Sequence, residues 1–143
     1  MIWLRYALVF IGMAVGGALL VHVVNANTDT QIGSAAQLMV PGMIAAVIEG
    51  KYYYRTHGER PGANESLRLA ALFTVLATAL NVALAYLPGA LMVQFGKLAI
   101  APFLGQQFVI LLGIYALGYL VFNWFFLRLG AQNAERLARE DRL

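Results

Sequence analysis

Long apolar runs separated by short polar segments dominate the pattern along this chain. Residues 2–24 are interrupted only by Arg5 and His22. An α-helix rises about 1.5 Å per residue, so a run of this length crosses a hydrocarbon core of about 30 Å. Three more runs resemble the first, although the second contains Gln37 and Pro41 and reaches full length only through Glu49 and the tyrosines that follow. The pattern predicts four transmembrane helices, over residues 2–24, 32–54, 65–87 and 106–128.

The remaining segments are short and belong to the same single domain, residues 1–143. Residues 55–64 are expected to form a loop, and residues 129–143 to continue the fourth helix into water with i,i+4 pairs Glu135–Arg139 and Arg136–Glu140. A docking site for a partner is the alternative for this C-terminal helix. Residues 88–104 are too short to span and too apolar for a free loop, so they are expected to lie in the outer interface or to dip into it. Contact with a partner subunit and contact with lipid alone are the two alternatives for this segment.

Composition agrees with this pattern. Hydrophobic residues make up 61% of the 143 residues and charged residues only 12%, whereas soluble domains carry roughly a quarter charged residues. The fold class is therefore predicted to be all-α, an integral membrane bundle of four transmembrane helices in the lipid bilayer.

The basic residues predict the orientation. If the N-terminus is cytoplasmic, all ten lysines and arginines except Lys97 fall on the cytoplasmic side. The positive-inside rule then predicts a multi-pass protein with both termini in the cytoplasm, N-in and C-in. The first run is longer than a signal-peptide core, which favours a membrane span over a cleaved leader.

The segment EGKYYYRTHGERPGANESLRL, residues 49–69, becomes the cytoplasmic loop and its helix ends. Tyr52, Tyr53 and Tyr54 point about 100° apart on a helix and are predicted to form an interfacial aromatic belt in preference to a ligand-binding cage. Glu49, close to the membrane boundary, is either a solvated helix-end acid or a hydrogen-bonding group inside the bundle.

Catalytic and metal-binding chemistry finds little support in the residues. The chain has no cysteine, and the predicted topology separates His22 from His57 by about a membrane thickness, so no metal or cofactor is predicted. A lone His22 is expected to hydrogen-bond its neighbours, with pigment or proton binding as the alternative. No phosphate loop, hydrolase motif or zinc motif occurs, so we do not expect an enzyme. The basic balance favours anionic lipid as a partner and does not favour nucleic acid.

Polar residues inside the predicted spans need partners. Asn81 and Asn123, together with Thr74 and Thr78, are expected to bind helix to helix, and a transport path is the alternative. Residues 12–15 lack the buried glutamate that four-helix multidrug transporters carry in their first helix. The nine-to-one distribution of bases argues against the dual-topology channels.

Small residues at every fourth position predict close helix packing. Gly12 and Gly16 form a GxxxG motif in the first run, and Gly42, Ala46 and Gly50 repeat the spacing in the second. Packing inside one bundle is the favoured interpretation, and a dimer interface is the alternative.

The four spans, together with the loop sequence GKYYYRTHGERP at residues 50–61 and Asn64-Glu65 after it, resemble a family of small uncharacterised four-helix inner-membrane proteins from proteobacteria. The resemblance covers almost the whole chain. It implies a bacterial inner-membrane location and the same topology, and it implies no reaction or catalytic residue.

Three functions are compatible with these expectations. The first in rank is a non-catalytic accessory or assembly subunit of a larger bacterial membrane complex, respiratory or photosynthetic, whose partners are other membrane protein subunits. The alternatives are a homo-oligomeric small channel or transporter, and an immunity-type membrane protein that shields its host from a toxin.

Overall fold

Four α-helices make up most of the described part of the protein. The structure, a computed structural model, describes residues 2–27, 36–86 and 105–142, which form α1 (Ile2–Asn27), α2 (Ala36–His57), α3 (Ala63–Tyr86) and α4 (Gln106–Glu140). These ranges contain no strand. The predicted outer interfacial segment, residues 88–104, lies outside the described residues, and so do residues 32–35 of the predicted second span.

Among the helices of the described ranges, α1, α3 and α4 are long and apolar enough to cross a membrane. The all-α bundle and the membrane character of the chain therefore agree with the sequence analysis. Helix α2 does not meet the same criterion, because its second half contains Glu49, Lys51 and the polar residues up to His57. A fourth crossing by α2 thus remains a prediction.

The closest helix pair is α2 with α4, which are not consecutive in the chain. A Cβ placed on Gly50 would overlap the carbonyl oxygen of Leu127, and one on Gly130 would overlap the carbonyl oxygen of Val47. Only hydrogen atoms at these two glycines therefore allow the backbones to touch. Ala46 and Ala131 are fully buried at the same crossing.

Contacts along this pair show that α2 and α4 run parallel. Met39 lies against Gly118, Gly42 faces Tyr119, and Gly50 faces Leu127. With a rise of about 1.5 Å per residue, Ala36 of α2 lies about 13 Å further along the common helix direction than Gln106 of α4 does.

The polar half of α2 consequently lies beside the charged extension of α4, at the end of the bundle that also holds Arg5 and Arg60. We call this the basic end.

An aromatic core joins the other helices to this pair. The Tyr6 ring of α1 stacks on Phe73 of α3 at 4.3 Å between centroids, and Phe10 of α1 lies 6.2 Å from Tyr119 of α4. Helix α1 packs on α2 and, less extensively, on α3. These aromatic rings lie between the middle of the bundle and the basic end, and buried residues such as Ala18 and Leu84 continue the core toward the opposite end.

The glycine motif of α1 lies away from this core. Gly12, Gly16 and Gly17 are exposed, and a Cβ on any of them would meet no described atom within 4 Å. Of the two small-residue motifs, the one in α2 thus packs helices within the described bundle. The motif in α1 makes no such contact in the described part of the chain. This differs from the packing inside one bundle that the sequence favours for it.

Replacing Gly130 by alanine should lower the free energy of unfolding by about 1–3 kcal/mol, because the new methyl group forces two helix backbones apart. Unfolding in dodecyl maltoside with increasing sodium dodecyl sulfate, followed by far-UV circular dichroism, measures the change. Gly113→Ala on the same helix is the matched control, since its Cβ meets no described atom. Equal stability of the two variants would contradict the close backbone contact.

Candidate functional site

A buried hydrogen-bonded chain connects three helices through the aromatic core. The hydroxyl of Tyr6 donates to Oδ1 of Asn123 at 2.9 Å, and Nδ2 of Asn123 points to Oγ1 of Thr74 at 3.5 Å. Thr74 in turn donates to the carbonyl oxygen of Ala70 at 2.7 Å. Tyr6 and Asn123 are fully buried. The structure thus places Asn123 in a contact between helices, and the Tyr6 hydroxyl satisfies its carbonyl oxygen.

Asn81 is also buried, but its surroundings differ. Neither Nδ2 of Asn81 nor Oγ1 of Thr78 has a hydrogen-bond partner among the described residues, although both atoms are inaccessible to solvent. Thr78 also lines an open apolar groove of about 580 Å³ between α3 and α4. Two polar atoms without partners in an apolar region are costly, so this part of α3 is a candidate contact for a group outside the described chain.

An ion pair at the basic end joins α1 to α2. The guanidinium of Arg5 donates to both carboxylate oxygens of Glu49, with Nε–Oε1 at 2.5 Å and Nη2–Oε2 at 2.6 Å. Glu49 is 2% exposed, and the Arg5 guanidinium also lies 3.4 Å from the ring centroid of Tyr52. Glu49 is therefore a bundle residue held by a bidentate base and not a solvated helix-end acid.

The three tyrosines have different environments because each helical step rotates the side chain by about 100°. Tyr52 is exposed and Tyr54 is half-buried, whereas Tyr53 is buried and its hydroxyl donates to Oε2 of Glu65 on α3 at 2.6 Å. His57 stacks on the Tyr53 ring at 4.2 Å. The predicted aromatic belt is wrong for Tyr53, which links α2 to α3 inside the bundle.

A second charged contact fastens the loop to the end of α4. Glu135 accepts from Arg139 at 2.6 Å and also pairs with Arg60, which lies in the connection between α2 and α3. The predicted i,i+4 pairs Glu135–Arg139 and Arg136–Glu140 both form. The hydrogen bond from Arg139, followed by that from Arg60, lowers the pKa of the Glu135 carboxyl. The resulting stabilisation is present at neutral pH and is lost as the pH falls through that lowered value.

The two histidines do not meet. His22 is exposed near the far end of α1, and His57 lies at the basic end, about 35 Å from it along the bundle, because Arg5 is level with Glu49 and His57 lies two turns beyond Glu49. Within residues 2–27, 36–86 and 105–142, no three histidine, acid or cysteine side chains come together as metal ligands do.

The described residues at the basic end line a small cavity and a larger one. The smaller, of about 150 Å³, lies beside Glu49 and Tyr53 and has an almost wholly apolar lining. The larger, of about 390 Å³, is lined by Arg60 and Arg128 together with Trp124 and Phe125. The candidate site is therefore a set of buried polar contacts between helices, with a basic cavity at one end.

Comparison of the chain with protein-family models, with curated proteins and with solved structures finds no significant match.

Sequence reasoning selected Glu49, Asn81 and Asn123 as polar contacts, but it assigned no partner to any of them. It did not select Tyr6, Arg5 or Glu65 as contacts between helices, because an aromatic residue, a base and an acid near helix ends are usual at a membrane boundary. A usable signal was the placement of Arg5 and Glu49 at the facing ends of two consecutive antiparallel helices.

Replacing Arg5 by glutamine should destabilise the bundle strongly, since it leaves the Glu49 carboxylate buried without its base. Breaking a fully buried pair costs about 3–5 kcal/mol, and the partial exposure of Arg5 places the expected loss near the lower limit. The double variant Arg5→Gln, Glu49→Gln should recover most of it. Unfolding in dodecyl maltoside with increasing sodium dodecyl sulfate measures the free energy of unfolding of the natural protein, of Arg5→Gln, of Glu49→Gln and of the double variant.

The matched control for this cycle is the exposed pair Arg136 and Glu140, where the same two substitutions should change stability by less than about 1 kcal/mol. Additive losses at Arg5 and Glu49, with no recovery in the double variant, would show that the two side chains do not interact.

Proposed function

We propose that this chain is an integral protein of the bacterial inner membrane with four spans and both termini in the cytoplasm. The three apolar helices support membrane insertion. The orientation is supported by the contacts that bring Arg5, Arg60 and the charged extension of α4 to one end, since the positive-inside rule assigns such an end to the cytoplasm.

The packing of α2 supports a fourth crossing despite its polar second half. Its first half is packed against α4 through Gly42 and Ala46, and its acid is neutralised by Arg5. Helix α2 therefore needs less apolar outer surface than its neighbours do. Its polar end projects at the basic end, where water and headgroups solvate it.

We propose further that the protein is a non-catalytic accessory or assembly subunit, which binds another membrane protein through α1. The observation that carries this proposal is the exposed face of α1, where Gly12 and Gly16 make no contact with the described bundle. A glycine inside a helix costs about 1 kcal/mol relative to alanine, so helix formation does not explain two glycines on an exposed face. In membranes such small residues allow a second helix to approach closely.

The interior of the bundle also favours a structural role. Tyr6 with Asn123, Arg5 with Glu49, and Tyr53 with Glu65 each join two different helices. These polar groups are used to hold helices together in a fixed arrangement, as expected for a rigid subunit that presents a surface.

The double variant Gly12→Leu, Gly16→Leu should lose its partner, because two bulky side chains prevent a close helix approach. The tagged protein, expressed at its natural level and extracted in mild detergent, should leave the membrane with a stoichiometric membrane-protein partner. Native mass spectrometry identifies the partner and measures the complex. The variant should release it while retaining the melting temperature of the natural protein.

Gly113→Leu on α4 is the matched control, since Gly113 is exposed and its Cβ also meets no described atom. This variant should retain the partner. Extraction of the natural protein as a lone monomer or a homo-oligomer would contradict the accessory role.

A homo-oligomeric channel or transporter is the second candidate, and the buried polar atoms of Thr78 and Asn81 favour it. A solute or a second copy of the chain that reached the groove between α3 and α4 would supply Oγ1 of Thr78 with the partner it lacks in the described residues.

If the second candidate holds, Asn81→Leu should abolish flux through the reconstituted protein without unfolding it. Efflux of potassium, chloride and glycerol from loaded liposomes is the measurement. Ala71→Leu, an exposed change on the same helix, should leave efflux intact. If efflux from loaded liposomes that contain the protein is no faster than from loaded liposomes without protein, this candidate is eliminated.

A further inference from the structure

The cavity between Arg60 and Arg128 combines positive charge with an aromatic wall at one depth of the bundle. Its volume is about 390 Å³, and Trp124, Phe125 and Leu129 form its apolar side. Volumes of about 300–1,000 Å³ are typical of sites for small ligands. The cavity thus has room for a charged group and part of an apolar one.

The depth of this cavity follows from the sequence of α4. From Gln106 to Leu127 the helix carries no charged residue, and Arg128 is its first. Trp124 lies one turn earlier, and tryptophan is enriched at membrane–water interfaces. The cavity therefore lies where the apolar part of α4 meets its charged extension, which is the level of lipid headgroups.

Arg128 is oriented and yet available for an anion. Its guanidinium lies 5.1 Å from the ring centroid of Trp124. In the described part of the chain, no carboxylate lies within ion-pair distance of it. An arginine that is stacked on an aromatic ring keeps its N–H donors free for an oxyanion.

The second base is held in place by the contact between the loop and the end of α4. Arg60 pairs with Glu135, which also accepts from Arg139. One carboxylate thus faces two bases, and Arg128 adds a third positive charge near the cavity. Among the described residues that line the cavity, two are arginines and none is an acid, so the cavity favours an anion.

We infer that this cavity binds the phosphodiester group of an anionic phospholipid, with the phosphate oxygens at Arg128 and Arg60 and the acyl chains along Trp124 and Phe125. Basic pockets on the cytoplasmic side of membrane proteins bind such headgroups, and arginine pairs with phosphate in a bidentate manner. The apolar wall favours a lipid over free phosphate. The inference rests on the proposed membrane placement of this end, and it is independent of the proposed partner on α1.

Quenching of Trp124 fluorescence by brominated lipid tests the inference. Trp3 and Trp124 are the only two tryptophans, so Trp3→Phe leaves Trp124 as the sole reporter. The full-length variant is reconstituted with phosphatidylcholine, and either brominated phosphatidylglycerol or brominated phosphatidylcholine replaces a fixed fraction of the lipid. We expect the relative binding constant for phosphatidylglycerol to exceed that for phosphatidylcholine by about fivefold or more.

In the same background, Arg128→Gln should lose this preference, and Arg128→Lys should retain part of it, because lysine keeps the charge but not the two-pronged donor. Arg55→Gln is the matched control, since it removes the same charge from an exposed position outside the cavity. It should retain the full preference. Melting temperatures of all variants are compared to establish that each is folded.

Equal quenching by the two lipids, or an unchanged preference in Arg128→Gln, would overturn the inference and leave the membrane placement standing. Displacement of brominated phosphatidylglycerol by inorganic phosphate, but not by chloride at equal ionic strength, would overturn it in favour of a free phosphate ligand. Absence of quenching by either lipid would overturn both the lipid site and the proposed membrane placement of this end.

Discussion

The direct contact between the backbones of α2 and α4 is the constraint on which the rest of the bundle depends. At Gly50 and Gly130 no side-chain atom separates the two helices, so neither helix can slide or rotate without a collision. This crossing fixes the depth of α2, and with it the position of Glu49, one residue before Gly50. The acid then lies at the level where the N-terminal turn of α1 presents Arg5.

The polar contacts follow from that register. Once α2 and α4 are fixed, Gly42 leaves room for the Tyr119 ring and the Tyr6 hydroxyl, and that hydroxyl reaches Asn123. Polar groups in an apolar medium bind each other because no water competes for them. In this bundle they join α1 to α4, α1 to α2 and α2 to α3, and they stabilise one arrangement of helices against others of similar apolar packing.

The outward features have a different character from the interior ones. The glycine face of α1 makes no contact with the described bundle, which suits it to a second helix. Arg128, beside the cavity, has no carboxylate partner among the described residues, which suits it to a phosphate. A subunit held by a neighbouring protein on one side and by an anionic lipid at its basic end would be fixed both laterally and in depth. That combination fits the proposed accessory role better than it fits catalysis.

The sequence by itself determined the helices and the membrane character, because apolar runs and clusters of bases are local properties that need no knowledge of packing. It also identified Glu49, Asn123 and the α2 glycines, since polar residues and small-residue repeats stand out in such runs. The tertiary structure alone decided that α2 pairs most closely with α4, that Tyr53 turns inward to Glu65, and that Tyr6 reaches Asn123. These contacts join residues that are distant in the chain, and they depend on the rotation and depth of each helix. A helix with apolar residues on every face carries no local pattern that shows which side turns inward. The same reason explains why the α1 glycines could not be assigned to an inner or outer face from the sequence.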